Sequence, residues 1–353
     1  MIEGAARVAL VLSTVAIVAA GGCRRGDRDQ RSAVAVATDG APSPAARTPA
    51  PRRYRRIDVH THIGPDGIPR AVRLMDEWGI DGAINLSGMY PGPPRQMLET
   101  QLAAAQRSGG RIAVFANANF RLVGMQRDYG RAMAEQLGES RRLGALGMPV
   151  AIHVGDPKAF WKPVTPDNER WDELRVHPEW SFSGPGIPSW QQLYDAFERL
   201  VARHKKTTFI GVHFGNDPED PDNVARMLDK HPNLYIDTAA RVPEIGRHPQ
   251  EKMKRFYAKY QDRVLFGTDT GIGPDDADMM FGSTGAEPPT RADEVRFFTS
   301  TWRYFETADR QFESPTPIQG RWKIDGVGLP EAVLRKIYFE NAARVLRWRP
   351  PGT

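Results

Sequence analysis

The feature that most constrains the fold of this chain is a repeated alternation of short apolar segments with longer amphipathic ones. The apolar segments are nearly continuous hydrophobic runs, which is typical of parallel strands buried on both faces. The segments between them have helical periodicity. Seven strand candidates occur, at residues 56–63, 80–87, 111–119, 148–155, 207–215, 233–240 and 263–270. This order predicts an α/β fold, specifically a (β/α)8 TIM-like barrel.

The predicted barrel is one strand short of eight. The gap falls between the third and fourth candidates, where residues 120–147 offer room for one helix and loops. A short strand within residues 141–147 would supply the eighth; otherwise one strand is reduced or missing. The path of residues 120–147 therefore stays open.

Residues 1–23 have the pattern of an export signal. Arg7 precedes an uncharged apolar run at residues 8–20, which is too short to span a bilayer comfortably. Small residues then lead to Cys23, the only cysteine of the chain, and this pattern resembles a bacterial lipoprotein processing site. We expect an exported lipoprotein, periplasmic or at the cell surface, held to the membrane by a lipid on Cys23. Ordinary secretion and an uncleaved anchor are the alternatives.

Residues 24–52 are rich in Arg, Pro and Ala without an apolar period, so they predict a disordered tether. Residues 24–56 hold nine Arg and three Asp, a net charge of +6, whereas the whole chain carries +5. Because residues 1–23 are neutral overall, the chain from Ile57 onward sums to −1. A domain at residues 53–349 with this charge does not favour nucleic acid as a partner. A small-molecule substrate is expected, and homo-oligomerisation stays open.

Five polar residues lie at or near the carboxyl ends of strand candidates: His60, His62, His153, His213 and Asp269. Active sites of barrel enzymes assemble at those ends. His60 and His62 are two residues apart on one strand, so both imidazoles project to the same side and can share one metal ion. Two ligands from other strands would complete a site for Zn²⁺ or a similar ion. For each residue alone, the alternative is a hydrogen-bonded core side chain.

Five segments in this order resemble the amidohydrolase-related family of metal-dependent barrel hydrolases and decarboxylases, which includes aminocarboxymuconate semialdehyde decarboxylase and dicarboxylate lactonases. They lie at residues 57–64, 148–157, 209–216, 264–270 and 338–346. The resemblance implies that His60, His62, His153 and Asp269 ligate a divalent ion, commonly Zn²⁺, with Mn²⁺ also open. It further implies that His213 activates or orients the attacking water. Asp269 is a second candidate for accepting its proton.

Binuclear members of the wider superfamily use a strand lysine as a carboxylated bridge between two ions, and many relatives have a strand with a Gly-Lys-type motif before the segment at residues 148–155. No lysine occupies residues 141–150. One metal ion is therefore expected.

Two features are candidates for substrate binding. The long connection at residues 155–190 carries Trp161 and Trp171, which would form a lid or pocket wall over the metal; a packed surface excursion is the alternative. Arg241 follows the sixth strand candidate, and its guanidinium can bind a substrate carboxylate through two hydrogen bonds. A structural ion pair is the alternative for Arg241.

The leading hypothesis is a metal-dependent hydrolase that uses an activated water on a small carbonyl substrate, such as a lactone, ester or amide. The first alternative is non-oxidative decarboxylation of an aromatic or unsaturated carboxylic acid at the same site. An alternative of another class is a weakly active or non-catalytic surface lipoprotein that binds a metal.

Overall fold

The computed structural model describes residues 54–86, 94–147 and 149–353 of the chain. The predicted signal segment, Cys23 and the predicted tether lie outside the described residues. The strands are β1 (Ile57–Ile63), β2 (Gly82–Asn85), β3 (Ile112–Val114), β4 (Val150–Ile152), β5 (Phe209–Gly211), β6 (Leu234–Asp237), β7 (Val264–Leu265), β8 (Thr270–Ile272), β9 (Met280–Phe281), β10 (Phe312–Glu313) and β11 (Lys323–Ile324).

Helices alternate with strands from β1 to β7, as the sequence predicts. The helices are α1 (Ile68–Trp78), α2 (Pro94–Gln106), α3 (Tyr129–Leu143), α4 (Trp171–Leu174), α5 (Trp190–Arg203), α6 (Pro221–Lys230), α7 (Val242–Gly246), α8 (Gln250–Tyr260), α9 (Arg291–Glu306), α10 (Glu331–Arg335) and α11 (Asn341–Leu346), with one turn of π-helix at Lys336–Glu340. Across the described parts of the chain, none of the helices combines the length and the apolar character that crossing a membrane requires.

The strands form two largely parallel sheets and a small ribbon. One sheet has the order β3, β2, β1, β8, β9, in which β9 alone is antiparallel. The second has the order β4, β5, β6, β7 and is parallel throughout. Strands β10 and β11 make a separate antiparallel ribbon. The predicted α/β fold with parallel strands is confirmed.

The two sheets enclose one shared apolar interior. A single buried cluster contains Ile57 of β1 and Ile84 of β2 from the first sheet, and Ile210 of β5 and Leu265 of β7 from the second. The cluster also includes residues of α11. On one side, backbone hydrogen bonding joins the two sheets. The Val59 amide of β1 donates to the carbonyl of Phe266, which directly follows β7, at 3.0 Å.

On the other side, the described strands do not pair into a closed ring. Leu146 makes a single parallel bridge to Phe115, and its amide donates to the Val114 carbonyl at 2.9 Å. Only a few residues separate Leu146 from β4, whereas the crossover connection between two neighbouring parallel strands requires about a dozen residues. No helix therefore fits between them, and Val150 of β4 is 37% exposed. The weak strand expected within residues 141–147 is reduced to this one bridge.

The observed strands are shorter than the sequence predicts. The candidate at residues 207–215, for example, stops pairing at Gly211, and that at residues 263–270 is divided between β7 and β8. The sequence stays apolar beyond the last paired residue of these strands, because the residues that follow are also buried. Composition therefore makes the strands look longer than they are. The polar residues at these strand ends therefore lie on irregular backbone, which determines the geometry of the site.

Candidate metal centre

His60 and His62 face the interior because the β1 ladder is irregular. The register between β1 and β2 shifts between Asp58 and Thr61. Before the shift, Val59 belongs to the interior cluster, so strict alternation would turn His60 outward. After it, His60 contacts Asp237 of the opposite sheet, whereas Ile63 belongs to the cluster that contains α1 residues. A bulge of this kind re-aims side chains, and here it places both imidazoles inside.

The first donor group consists of His60, His62 and Asp269. The Nε2 atoms of His60 and His62 lie 3.4 Å and 3.2 Å from Oδ1 of Asp269. One ligand atom from each residue lies within 4.8 Å of the others. His60 is buried, whereas the side chain of His62 is 39% exposed, so the group is open to solvent on one side.

The second donor group consists of His153, Asp156 and His213, whose ligand atoms also lie within 4.8 Å of one another. The His213 ring contacts both groups, with its centroid 4.5 Å from that of His153 in its own group and 4.9 Å from that of His60 in the first. Nδ1 of His213 lies 2.9 Å from the Ala239 carbonyl oxygen and donates to it when it carries the proton. This arrangement leaves Nε2 of His213 available as an acceptor or a ligand.

Left-handed backbone occurs after several of these strand ends, including at Phe214 and Asn216 after β5. His213, Ala240 and Asp269 have φ values of 53°, 54° and 62°. This conformation disfavours residues with a Cβ atom, at a cost of roughly 1–2 kcal/mol for each. Its occurrence at the ends of β5, β6 and β7 turns His213 and Asp269 away from strand geometry. Backbone strain of this kind clusters at functional sites.

Nearby charges stabilise the ionised forms of the first group. Although burial opposes it, the carboxylates of Asp269 and Asp237 raise the pKa of His60 to about 9. Burial likewise opposes ionisation of Asp269, but His60 and His62 lower the pKa of its carboxyl below the usual value. Asp269 is therefore a carboxylate at neutral pH, as a metal ligand must be.

The histidines of the second group are neutral for the opposite reason. Burial, together with the charge of Arg241 and the neighbouring His153 and His60, holds the pKa of His213 well below 6.5. Burial also lowers the pKa of His153, and Arg241 adds to the effect. A neutral imidazole can bind a metal or accept a proton.

Arg241 is held by a buried ion pair. Its Nε lies 2.9 Å from Oδ2 of Asp156, its Nη2 contacts the same carboxylate, and its Nη1 donates to the Ala240 carbonyl. Both side chains are almost fully buried. Of the two alternatives for Arg241, the structure contains the ion pair.

The connection between β4 and α5 packs on its own small core, which contains Phe160, Leu174 and Phe182. Trp161 packs against this core and donates from Nε1 to the Pro188 carbonyl at 2.9 Å. Trp171 is the first residue of α4. Preceding it, the buried Arg170 pairs with Glu173 and with Glu244 of α7, which fixes the connection to the rest of the fold. A contact of Trp161 or Trp171 with substrate stays a prediction.

Two buried carboxylates beside the site were not found by the sequence analysis. Asp156 follows His153 by three residues, and its position directly before a proline gave little sign of burial. Asp237 ends β6 and accepts from His60 across the interior. An acidic residue in an otherwise apolar strand was the available signal for Asp237.

The side chains present fit a divalent metal. Imidazole nitrogen and carboxylate oxygen are the ligands of Zn²⁺ and similar borderline ions. The three oxygen and nitrogen donors of the first group converge at spacings that one ion can bridge. His153 lies with His213 in the adjacent group, so its role as fourth ligand stays a prediction.

Comparison with known proteins gives one family and a number of solved structures, including two of low similarity. Curated proteins give no match. An amidohydrolase 2 from Bifidobacterium longum subsp. infantis is 13% identical with a TM-score of 0.41, and the match covers 84% of this chain and 100% of that one. The 4-oxalomesaconate hydratase from Rhodopseudomonas palustris is 15% identical with a TM-score of 0.40, covering 83% of this chain and 95% of that one.

The family comparison is more extensive. The model of the family described as Amidohydrolase matches residues 116–348. The matched region includes His153, His213 and Asp269, and it begins after the strand that carries His60 and His62. Since the match spans most of the chain, the protein belongs to the amidohydrolase family and is a metal-dependent enzyme of the amidohydrolase type.

Proposed function

We propose that the protein is a metal-dependent hydrolase of a small, uncharged carbonyl compound such as a lactone, ester or amide. The observation that carries this proposal is the meeting of the two donor groups at the strand ends, with the neutral His213 ring between His60 and His153. Hydrolysis of a carbonyl compound by water requires metal ligands with a proton acceptor beside them, so this arrangement supports the proposal.

In this proposal His60, His62, His153 and Asp269 hold one divalent ion, with Zn²⁺ as the first choice. When bound, the ion supplies Lewis acidity, which increases the acidity of water and polarises a carbonyl oxygen. His213 accepts the proton of the attacking water at Nε2, because its Nδ1 is engaged by the Ala239 carbonyl. The low pKa of His213 keeps that nitrogen unprotonated at neutral pH.

The contacts of Arg241 support hydrolysis over decarboxylation in this proposal. A decarboxylase must bind the carboxylate of its substrate, and Arg241 was the candidate for that contact. Its guanidinium is instead neutralised by Asp156, at 2.9 Å from Nε. The ion pair favours an uncharged carbonyl substrate, which makes decarboxylation the weaker alternative.

The test begins with metal binding. The purified chain, reconstituted with Zn²⁺, is expected to bind one ion per chain and to hydrolyse members of a panel of lactones, esters and amides, with one acid released per turnover. Release of CO₂ from aromatic or unsaturated acids, without such hydrolysis, would establish the alternative reaction. Absence of stoichiometric metal after reconstitution would contradict the proposal, and a stoichiometry of two would reject the single-ion site.

We also propose that the two sheets are parts of one (β/α)8-type barrel in which one strand and helix unit is shortened at Leu146. The shared interior cluster and the hydrogen bond from Val59 to Phe266 support this proposal. A crystal structure is expected to contain a continuous ring interrupted only between Leu146 and β4. Two sheets separated on both sides would contradict it.

For the N-terminal region we propose export followed by lipidation of Cys23, with residues 24–52 as a tether to the domain. The support is the sequence pattern alone. Expression of the full chain in a bacterium with labelled palmitate is expected to label the wild type and not Cys23→Ser. Equal labelling of both, or of neither, would reject lipidation at this cysteine.

A further inference from the structure

Asp237 contacts both donor groups, although neither group includes it. Its side chain is buried at the end of β6. Oδ2 lies 3.0 Å from Nδ1 of His60. Oδ1 accepts from the backbone amide of His213 at 2.8 Å and from that of Ala239 at 3.2 Å. One carboxylate therefore links a candidate ligand of the first sheet to the backbone of the candidate base in the second.

The contact to His60 determines which ring nitrogen is available to a metal. An ionised carboxylate only accepts hydrogen bonds, so Nδ1 of His60 must carry a proton when it bonds to Asp237. Nε2 is then the nitrogen whose lone pair a metal would bind, and this atom faces Asp269 at 3.4 Å. Carboxylates behind ligand histidines fix the tautomer and the orientation of the ring in this way.

The contact to His213 has a different function. His213 has left-handed backbone, and its amide bonds to Asp237. Because Oδ1 accepts this amide and that of Ala239, it stabilises the turn from which the His213 ring reaches the Ala239 carbonyl. Loss of the acceptor would leave buried amides without a partner and would release the turn.

We propose that Asp237 is a positioning residue that fixes the His60 tautomer for metal binding and, through its other oxygen, the backbone of His213. This inference rests on the proposed function, because it requires a metal at His60. In an Asp237→Asn variant the side-chain NH₂ group would face either Nδ1–H of His60 or the backbone amides, and all of these are hydrogen-bond donors. The substitution would therefore disturb one donor group or both while preserving side-chain size.

The test compares Asp237→Asn with Asp217→Asn. Asp217 is a matched control because it is also buried and follows the preceding strand, but it pairs with Lys158 at 2.6 Å. Zn²⁺ affinity is measured by competition with a chromophoric chelator, and the ligand field is measured from the visible bands of the Co²⁺-loaded protein. We expect Asp237→Asn to weaken Zn²⁺ binding by about 10- to 100-fold and to change the Co²⁺ bands. The control should match the wild type in both.

Asp237→Asn that binds Zn²⁺ as tightly as the wild type, with unchanged Co²⁺ bands, would overturn the proposal. Equal losses in both variants would also overturn it, because they would indicate a general effect of removing a buried carboxylate. If Asp237→Asn does not fold, nitrogen NMR of histidine-labelled wild type decides the question. The proposal requires a slowly exchanging proton on Nδ1 of His60 in the Zn²⁺-loaded protein, and ligation through Nδ1 would reject it.

Failure of the proposed function would look different. If the wild type binds neither Zn²⁺ nor Co²⁺, the metal site is wrong, whatever the variants do. In that case the NMR measurement on the metal-free wild type still reports whether Nδ1 of His60 is protonated and protected beside Asp237. A rapidly exchanging or absent Nδ1 proton there would reject the positioning role as well.

Discussion

The two donor groups at the strand ends contain the same types of residue but lie in opposite electrostatic surroundings. Behind His60 stand the carboxylates of Asp237 and Asp269, and they raise its pKa to about 9 against the opposing effect of burial. Around His213, burial acts together with the positive charge of Arg241, and its pKa falls well below 6.5. Two buried imidazoles whose centroids are 4.9 Å apart therefore hold protons with very different strength.

Because burial lowers the pKa of both rings, the difference between them comes from their charged neighbours. A ring backed by carboxylates attracts positive charge, either a proton or a metal ion. A ring beside a guanidinium stays neutral and retains a lone pair for catalysis. Under the proposed function, the first group therefore provides three of the metal ligands and His213 accepts the proton, and changing one residue at a time tests this division.

The largest expected effect comes from separating these two roles by substitution. Asp269→Ala removes a carboxylate that both His60 and His62 approach, and we expect it to abolish stoichiometric metal binding and turnover together. His213→Ala should retain the metal but lower kcat by about 10²- to 10⁴-fold, the usual contribution of a general base. Metal analysis and steady-state kinetics on the same preparations measure both quantities.

His204→Ala serves as the control for these two variants, because His204 is exposed at the end of α5. It should match the wild type in metal content and in kcat. Loss of the metal in His213→Ala would break the comparison, since it would make His213 a ligand.

The charge behind the second group can be removed at Arg241. Arg241→Met leaves the Asp156 carboxylate buried without its partner, and we expect a loss of about 3–5 kcal/mol in the free energy of unfolding. The same substitution should raise the pKa of His213, because a nearby positive charge is removed. Denaturant unfolding measures the first effect and the pH profile of kcat the second. A variant as stable as the wild type would show that the ion pair is not formed in solution.

The pH dependence of metal binding should differ between the groups. His60 is protonated at pH 7 in the metal-free protein, so binding must displace a proton, whereas His153 and His213 have none to lose. Affinity should therefore increase by about tenfold per pH unit up to pH 9 and then level off. Titration calorimetry in buffers of different ionisation heat counts the protons released. Binding that is independent of pH between 7 and 9 would contradict the high pKa of His60.

The raised pKa of His60 also predicts how the stability of the metal-free protein changes with pH. The folded pKa of about 9 exceeds the ordinary 6.5, so the protonated ring stabilises the metal-free fold fully below pH 6.5. That contribution is lost as the pH rises through 9. The unfolding temperature of the metal-free protein should decrease over this interval, and His60→Gln should remove that part of the decrease.

The smallest expected effects come from two asparagines that each hold a strand end. Asn85 bonds both backbone groups of Ile63, next to His62, whereas Asn216 bonds the Ile152 carbonyl and the Val154 amide on either side of His153. Asn85→Ala and Asn216→Ala should each cost about 1–3 kcal/mol in the free energy of unfolding. Only Asn85→Ala should weaken metal binding if the first group provides most of the affinity. The reverse result would place His153 at the centre of the site.

Much of this site could be predicted from the sequence because its polar residues directly follow apolar strand segments in the chain. The pair His60 and His62, and the single polar residues His153, His213 and Asp269, interrupt apolar runs and are visible without a structure. Their placement at the carboxyl ends of parallel strands brings them together in space. The register shift in β1 was not visible, since it depends on pairing with β2.

The parts that sequence could not supply depend on contacts between distant segments. Asp156 and Arg241 are far apart in the chain, so the choice between a substrate-binding and an ion-paired arginine required the fold. The same holds for Asp237 and His60, which lie on different sheets. The division between β7 and β8 was missed for another reason. Apolar composition indicates that a residue is buried, and most residues between these two strands are buried although they belong to neither.

The left-handed backbone of His213 and Asp269 implies a conflict between durability and activity. Glycine adopts such φ values without penalty, so replacement of either residue by glycine would relieve local strain at the positions where the proposed chemistry requires a side chain. A search for more thermostable variants would therefore select glycine substitutions that also abolish activity. Screens for stability should hold these two positions fixed, and Ala240, which has the same backbone and no proposed chemical role, is the nearby position where glycine can be introduced first.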